Sequence, residues 1–600
     1  MESNQKSESR MAQCRREALP VLSTLVFSSI LLIIWQCKIN SELPDPYLDE
    51  VFHVRQAQAY WAHRWRQWDP KITTPPGVYL CSYIIGVILF IARLRPGHPG
   101  ASFFRYGNSI VLFNILQLRL RKLIKCIRKG NLSNSPNQGG SAAMHCRERW
   151  ERNLTALNIC LFPPLFFFSG LYYTDLAALL IVVEVYICDL SRSHGRGARL
   201  SPSDKLNTQS TAVLSWRNIR FLIFGLLALT FRQTNIFWVA VFLGGLQVVE
   251  TLHRVTSDCQ STDVVRIVRG SWELHQLYDP PVSEASFEDY LKTLASLGIS
   301  TLAHIIPIIT ALLPYLFFLG AFGLFALWNG GVVLGHKEFH TAGLHLPQML
   351  YIWPYFIFFS WPIFLIPFAT AILQRRTIKV LPSIITTAIF IPLMLATVHL
   401  NTIVHPFTLA DNRHYVFYIF RILLRHPLIK YLATPIYFVC GWAVLATFGA
   451  TSPSPSATYT TTVINTTPHE TQTPPTKTLK STSNTKDKGL TRNPHVRLSF
   501  VLIWLIASSL SLITAPLVEP RYFLIPWVIW RLHVRLPSTP MLGSSKESGN
   551  DKRWARLLFY LPLLLETAWY IVINAVTGHM FLYRGFEWPQ EPGLVQRFMW

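Results

Sequence analysis

Residues Leu43–Leu80 read LPDPYLDEVFHVRQAQAYWAHRWRQWDPKITTPPGVYL, directly after the first long apolar run, LPVLSTLVFSSILLIIW at Leu19–Trp35. The apolar run is long enough to cross the ~30 Å hydrocarbon layer of a bilayer. The stretch after it gathers Asp45, Asp49, Glu50, His53, Arg55, His63 and Asp69 with three tryptophans and three tyrosines. A loop that only joined two spans has no need of adjacent carboxylates, an imidazole and so many rings beside a membrane. That set suits holding a sugar and moving a proton at the bilayer surface.

The same apolar signature recurs along the chain. Half of the 600 residues are hydrophobic, only 14% are charged, and the mean hydropathy is +0.29. Candidate spans centre on 18–37, 101–118, 155–171, 172–190, 216–231, 235–252, 301–328, 350–373, 380–399, 432–449, 497–515, 521–533 and 556–577. A backbone in lipid must satisfy its own hydrogen bonds, so these are helices, and the chain is one all-α polytopic membrane domain over 1–600. Arg10, Arg15 and Arg16 precede the first run, which has no small-residue cleavage site and reads as a signal anchor. The net charge of +23 sits in loops between apolar runs, which fits topology and anionic lipid rather than nucleic acid. The nine cysteines show no metal-ligand spacing.

Basic loops stay on the cytoplasmic side. The segment Arg119–Asn153 carries nine Lys and Arg against two Glu, and 191–217, 253–300, 374–379 and 534–555 are also basic or long and polar. The segment 450–497, rich in Ser, Thr and Pro, reads as a disordered insert on the same side. The outer face then receives 38–100, 172–175, 232–235, 329–349, 400–431, 516–520 and the C-terminal tail. For this to hold, only one of 77–94 and 101–118 can cross; the segment 77–94, opened by Thr74-Pro75-Pro76-Gly77, is expected to lie in or re-enter the outer interface. The other reading has both crossing, with the charge rule failing locally. The sequons at Asn131, Asn153 and Asn465 face the cytoplasm in this parse and are expected to be unused.

Built from charge and length alone, the parse places the dense polar motifs on one face. These are FRQTN with Arg232, NGGVVLGHKEFHTAGLHLPQM with His336, Lys337, His340 and His345, HPFTLADNRHY with His405, Asp411, Arg413 and His414, PLVEPRYF with Glu519 and Arg521, and LYYTD ending in Asp175. Charges at such depths are costly unless they pair or serve a site. Blander readings stand beside each: Arg232 as a snorkelling or capping residue, Glu519 and Arg521 as a local ion pair, and the histidines at 336, 340 and 345 as a polar loop rather than metal ligands. If a short helix starts near Leu48, Asp49 and His53 share a face and Glu50 points roughly 100° away, so only one carboxylate need meet a substrate. The plain alternative is a helix start where acids suit the dipole.

Taken together, PYLDEVFHVRQAQAYW, QWDPKITTPPGVYL, FPPLFFFSGLYYTD, FRQTNIFW, NGGVVLGHK, LHLPQM, HPFTLADNRHYVFYIFR, PLVEPRYF and QRFMW resemble, in order from about Leu43 to Trp600, one family. It is the dolichyl-phosphate-glucose-dependent α-1,2-glucosyltransferase of the endoplasmic reticulum, which adds the outermost glucose to the dolichol-linked oligosaccharide used in protein N-glycosylation. His336 stands where that pattern more usually has an acid. The resemblance implies a GT-C-type fold with about 13–14 transmembrane helices and interfacial helices in a catalytic first lumenal loop. It implies dolichyl phosphate glucose as donor, a dolichol-linked oligosaccharide as acceptor, and a multi-pass place in the endoplasmic reticulum membrane with the site facing the lumen. No cofactor is required by it, and whether a divalent metal assists is left open.

A β-linked donor and an α-linked product mean a single inverting displacement, with one base and cationic contact to the leaving phosphate. Asp49 is the expected base and Glu50 its rival. Arg413 and Arg521 are expected on the phosphate, with Arg232 and Lys337 behind them; His53, Asp175, His340, His405, Asp411, His414 and Glu519 are expected to bind substrate. The tryptophans at 61, 65 and 68 are expected to stack on sugar faces. The rival readings are another dolichyl-phosphate-sugar transferase of the same pathway, a transporter, which would show charges within spans and inverted repeats, and a subunit with a dead site.

Overall fold

The computed structural model describes residues 2–92, 99–129, 142–197, 215–335, 337, 343–373, 382–449, 496–515, 517–536, 549–589 and 591–600. His336, His340, Asn131 and Asn465, and the insert expected at 450–497 up to residue 495, lie outside them. The chain is a bundle of helices: α1 (Glu2–Glu42), α2 (Glu50–Trp61), α3 (Gly77–Ile91), α4 (Ala101–Tyr106), α5 (Leu112–Lys129), α6 (Ala142–Leu161), α7 (Pro163–Ser169) and α8 (Asp175–Gly197) come first. Then follow α9 (Trp216–Leu229), α10 (Leu243–Val255), α11 (Val264–Glu273), α12 (Phe287–Ala303), α13 (Ile305–Asn329), α14 (Gln348–Leu373) and α15 (Ile384–Asn401). The last are α16 (Pro406–Ala410), α17 (Tyr415–Leu423), α18 (Ile429–Leu432), α19 (Thr434–Ala446), α20 (Leu498–Leu512), α21 (Leu524–His533) and α22 (Gly549–Tyr583). Two strand pairs complete it: β1 (Ser257–Asp258) parallel to β2 (Gln276–Leu277), and β3 (Phe586–Trp588) antiparallel to β4 (Glu591–Gln596).

Every candidate span falls on helix, because the runs are apolar on all sides and leave no polar face to water. Among the described residues, six helices are long and apolar enough to cross a membrane: Ala18–Glu42, Ile305–Asn329, Gln348–Leu365, Ile384–Asn401, Ile429–Gly449 and Phe559–Tyr583. The chain is therefore a multi-pass membrane protein. The 25 residues of α13 extend about 37 Å, and it presents Ile306, Leu313, Leu324 and Leu327 outward. Local chemistry sets the breaks. Pro163 lacks an amide proton and restarts the chain as α7 after Phe162. Gly330 ends α13 in the left-handed conformation, φ +66°. The segment 253–300, expected as a long polar loop, instead folds into β1, α11, β2 and α12.

Between the helices the core is aromatic, with Phe162 stacked on Trp527 at 3.7 Å and Phe364 on Trp530 at 5.6 Å. A buried ionic knot lies within it. Arg531 of α21 gives Nε and Nη2 to Glu566 of α22 at 3.0 and 2.8 Å. Asn158 of α6 donates to the same carboxylate at 2.7 Å, and Tyr570 does so at 3.1 Å. In a medium without water, such a network joins helices that apolar packing alone does not distinguish.

The loops sort to two ends. At one end Gly77 N donates to Thr230 O at 2.8 Å, Gln233 Nε2 to Thr73 O at 2.6 Å, and Leu334 N to the same oxygen at 3.3 Å. Gly343 N and His345 N reach Thr514 O and Ile513 O there at 3.2 and 2.8 Å. At the other end Arg128 meets Glu151 at 2.9 Å, and buried Asp279 accepts from Ser499 Oγ at 2.6 Å. Helix α3 starts on Thr230 O, and Pro99 beyond it accepts from Gln58 of α2 at 3.0 Å, so the excursion begins and ends at the same end of the bundle. Its 15 residues are about 22 Å long. Asn153, a sequon residue, is buried in α6 with its amide on Arg149 O at 2.8 Å, so no glycan can be attached there without unfolding the helix.

Glu566→Ala leaves Arg531 buried and unpaired, and is expected to cost about 3–5 kcal/mol. The double change Arg531→Met/Glu566→Met is expected to recover most of that loss in detergent melting curves. Equal melting of the single and double variants would show that the knot is not what joins α21 to α22.

Candidate active site

Leu48 takes φ +51°, a conformation uncommon outside glycine, and this turn lets Asp49 begin α2. The Asp49 carbonyl accepts from Phe52 N and His53 N at 3.1 and 3.2 Å. The two adjacent carboxylates then part company. Asp49 stands at the helix mouth with its side chain 56% exposed, whereas Glu50 is sealed at 0%.

Glu50 is fully engaged. Arg105 gives Nε to Oε1 at 2.8 Å and Nη2 to Oε2 at 2.6 Å, Tyr172 N donates to Oε1 at 2.8 Å, and Tyr47 N to Oε2 at 3.2 Å. Arg105 is equally committed: its remaining donors reach Asn40 Oδ1, Leu43 O and Asp45 O at 3.2, 2.6 and 2.9 Å. The expectation of Glu50 as a rival base is corrected by this geometry, since a carboxylate with no exposed surface and four donors has no lone pair to offer a substrate. It is the anchor of the loop.

Around Asp49 the structure brings together residues from far apart in sequence. Arg521 Nη2 lies 3.7 Å from Asp49 Oδ2, while its Nε and Nη2 hold Glu519 Oε2 at 3.0 and 2.7 Å. The guanidinium rests over the rings of Phe168 and Tyr173 at 5.1 and 5.4 Å. Its Nη1 makes no hydrogen bond among the described residues. Buried Asp175, at the start of α8, pairs with Arg232 Nη2 at 3.0 Å, and Arg232 Nε reaches Thr174 Oγ1 at 3.4 Å. His53, one turn along α2, completes the group, with Nδ1 2.6 Å from Tyr79 Oη and its ring edge-on to Tyr173. Burial holds the His53 imidazole below its usual pKa; Asp49 opposes the shift and Arg521 reinforces it. Asp49, His53, Asp175, Arg232, Glu519 and Arg521 therefore form one cluster.

The motif of residues 405–414 forms a second group. Asp411 receives both Nε and Nη2 of Arg413 at 2.8 Å. Burial alone would raise the Asp411 carboxyl, yet the Arg413 bonds and His414 hold it below its ordinary value. Arg413 Nη1 reaches Gln596 Oε1 at 3.0 Å, and the guanidinium sits over Trp588 at 4.4 Å. His414 Nδ1 meets Trp600 O at 3.2 Å. Tyr47 joins the two groups: it lies two residues before Asp49, and its hydroxyl accepts from Arg597 N at 2.7 Å. His405 caps α16 through Phe407 N at 3.3 Å, and Lys337 closes its own turn on the Asn329 carbonyl; neither is brought to Asp49 by a contact. Of the three tryptophans, Trp65 keeps a substantial exposed face (45%), while Trp61 packs on Phe103 and Trp68 on Tyr79.

Sequence reasoning passed over Arg105, Tyr47, Tyr79, Tyr173, Trp588 and Gln596. Arg105 had a signal, a lone arginine inside an apolar run. The aromatic and amide residues had none, because their roles depend on contacts made only in the fold, from 26 positions apart for Tyr79 and His53 to 550 for Tyr47 and Arg597.

The match to the DIE2/ALG10 family model runs over residues 43–532, from the head of the Asp49 loop past Arg521. The chain belongs to the DIE2/ALG10 family. It is 46% identical over 649 residues to a protein of Emericella nidulans named Dol-P-Glc:Glc(2)Man(9)GlcNAc(2)-PP-Dol alpha-1,2-glucosyltransferase, with 100% of each chain covered. Relatives of the same name in Aspergillus fumigatus and Rattus norvegicus are 47% and 28% identical, covering 96% and 97% of this chain and 97% and 96% of their own. No solved structure matches. In this family member the pocket around Asp49 lies inside the matched region, and the tail that holds Arg413 follows it.

The geometry separates an anchoring carboxylate from an open one. Glu50→Ala is expected to lower stability by about 3–5 kcal/mol, through the stranded Arg105, and Asp49→Asn to leave the melting temperature within about a degree or two of wild type, as for an exposed change worth under 0.5 kcal/mol. Thermal unfolding of both purified variants checks this; equal destabilisation would contradict the division.

Proposed function

We propose that this chain transfers glucose from dolichyl phosphate glucose to the dolichol-linked oligosaccharide that already bears two glucoses, forming the terminal α-1,2 bond with inversion. The names of its relatives specify that donor and acceptor. The observation that carries the chemistry is the exposed Asp49 carboxylate 3.7 Å from the Arg521 guanidinium, in a pocket walled by Tyr173, His53 and Asp175. In an inverting displacement the base and the leaving phosphate stand on opposite sides of one sugar carbon. Together Asp49 and Arg521 supply the carboxylate and the cation that the reaction needs, and a sugar carbon entering between them must part the pair from its 3.7 Å contact.

Asp49 takes the proton from the acceptor hydroxyl as it attacks the anomeric carbon. Arg521, with Nη1 uncommitted, neutralises the departing phosphate; a phosphate leaving group needs little protonation, so charge stabilisation is the larger demand. Arg232 and Asp175 hold one another and present the sugar with a donor and an acceptor. Arg413, bound by Asp411 and Gln596, lines the donor side rather than meeting the phosphate alone. The pocket opens to the lumen of the endoplasmic reticulum at the bilayer surface, with lipid rather than nucleic acid as its surroundings. We place helix α3 along that surface, its exposed Ile84, Ile88 and Ile91 toward lipid, beside a donor delivered from the membrane. The pocket's own side chains supply base and cation, so no cofactor is part of the proposal.

The test is transfer by the purified chain, offered dolichyl phosphate glucose or dolichyl phosphate mannose and the diglucosylated lipid-linked acceptor. One added α-1,2 glucose, from the glucose donor alone, is expected. Asp49→Asn is expected to lower kcat by about 10²–10⁴-fold, and Arg521→Lys to weaken turnover despite its retained charge, because a point charge replaces a planar fork. Mannose transfer, or an active Asp49→Asn enzyme, would overturn the donor or the base respectively.

A further inference from the structure

Tyr79 is fully buried, and its hydroxyl lies 2.6 Å from His53 Nδ1. A phenol carries one proton, and in a dry interior that proton must meet an acceptor. Thr74 Oγ1 lies beside the phenol but makes no hydrogen bond of acceptable geometry. Among the described residues Nδ1 of His53 is thus the acceptor in reach. If Nδ1 bore the hydrogen instead, the phenol proton would point at nothing. The arrangement therefore has Tyr79 donating to Nδ1, which leaves the imidazole proton on Nε2.

The surroundings favour the neutral ring. Asp49 and Glu50 of its own helix, Asp175 of α8 and Arg521 are the charged groups that act on it, with Tyr79 and Tyr173 as ring neighbours. Glu50 is already neutralised by Arg105, and Arg521 opposes a second cation beside it. Nε2 is the ring nitrogen not engaged by Tyr79, and His53 as a residue is half-buried.

We propose that Tyr79 is a positioning residue that fixes His53 in its neutral Nε2–H form, making His53 a hydrogen-bond donor in the Asp49 pocket and removing it from the role of base. The group it serves is an oxygen of the sugar or of the departing phosphate. No proton is transferred by His53; its N–H is shared throughout, and the acceptor's proton goes to Asp49. The inference rests on the glucosyl-transfer reading above.

The test compares full-length wild type with Tyr79→Phe, His53→Gln and His53→Ala in the same transfer assay across a pH series. Loss of the phenol donor removes what stabilises the neutral ring, so the His53 pKa rises. The imidazolium keeps its Nε2–H but sets a cation beside Asp49 and weakens that carboxylate as a base, which is how protonation of His53 lowers kcat. In Tyr79→Phe the acid limb of kcat is therefore expected to move to higher pH, with kcat down about tenfold and KM for the donor little changed. Glutamine retains a side-chain N–H but cannot titrate. His53→Gln is accordingly expected to be about tenfold more active than His53→Ala, with the acid limb displaced to lower pH. A Tyr79→Phe enzyme with wild-type kcat and pH profile would overturn the proposal, as would a His53→Gln enzyme no better than His53→Ala. If Tyr79→Phe does not fold, the two His53 variants decide it. A wild type that transfers no glucose would instead sink the functional reading itself.

Discussion

The Glu50–Arg105 pair is the constraint on which the pocket depends. It is buried from both sides, it satisfies all five guanidinium donors, and it draws on α1, the Leu43–Tyr47 loop, α2, α4 and the Tyr172 turn. A pair this dry is not a source of net stability by itself, because removing two ions from water offsets their attraction. Its effect is geometric. With Glu50 fixed inward, the helical advance of roughly 100° per residue directs Asp49 outward. One adjacent carboxylate is given up to locate the other.

The second group of residues holds the same loop through Tyr47. Arg413 is gripped by Asp411, Gln596 and Trp588, and Tyr47 is held by the Arg597 backbone, whose own guanidinium reaches Phe581 O and Leu582 O at 3.0 and 2.5 Å. Short segments from distant parts of the chain thus surround Asp49, each anchored to the end of an apolar helix. The charges around Asp49, which would be costly in lipid, lie where the helices stop, paired and partly open.

The helical class was plain in the apolar runs, because hydrogen-bond satisfaction in lipid permits little else. So was the shared face: the loop charges sorted the motifs correctly enough that Thr73, Gln233 and Leu334 meet at one end. The pocket itself was legible in its charged members, since Asp49, Asp175, Arg232, Glu519 and Arg521 are conspicuous beside apolar neighbours. What the linear pattern could not separate was Asp49 from Glu50. Adjacent acids look alike until the partner is known, and Arg105 sits inside an apolar run 55 positions away. Neutral partners such as Tyr79 and Gln596 were invisible for a further reason: a phenol or an amide is ordinary in any sequence, and only its contact gives it a role. The segment 253–300 was misread as loop because its helices are short, with α11 packed on α12 and α12 on α20, and leave no long apolar run.

The bond between Tyr47 and Arg597 joins residues 550 positions apart. A ribosome adding about 5–20 residues per second makes the first of them roughly half a minute to two minutes before the second. During that interval the helices can enter the bilayer one after another while the Asp49 loop still lacks its far wall. Assembly of the pocket is thus timed by elongation, and a nascent chain halted before Arg597 is a membrane protein without a finished catalytic chamber.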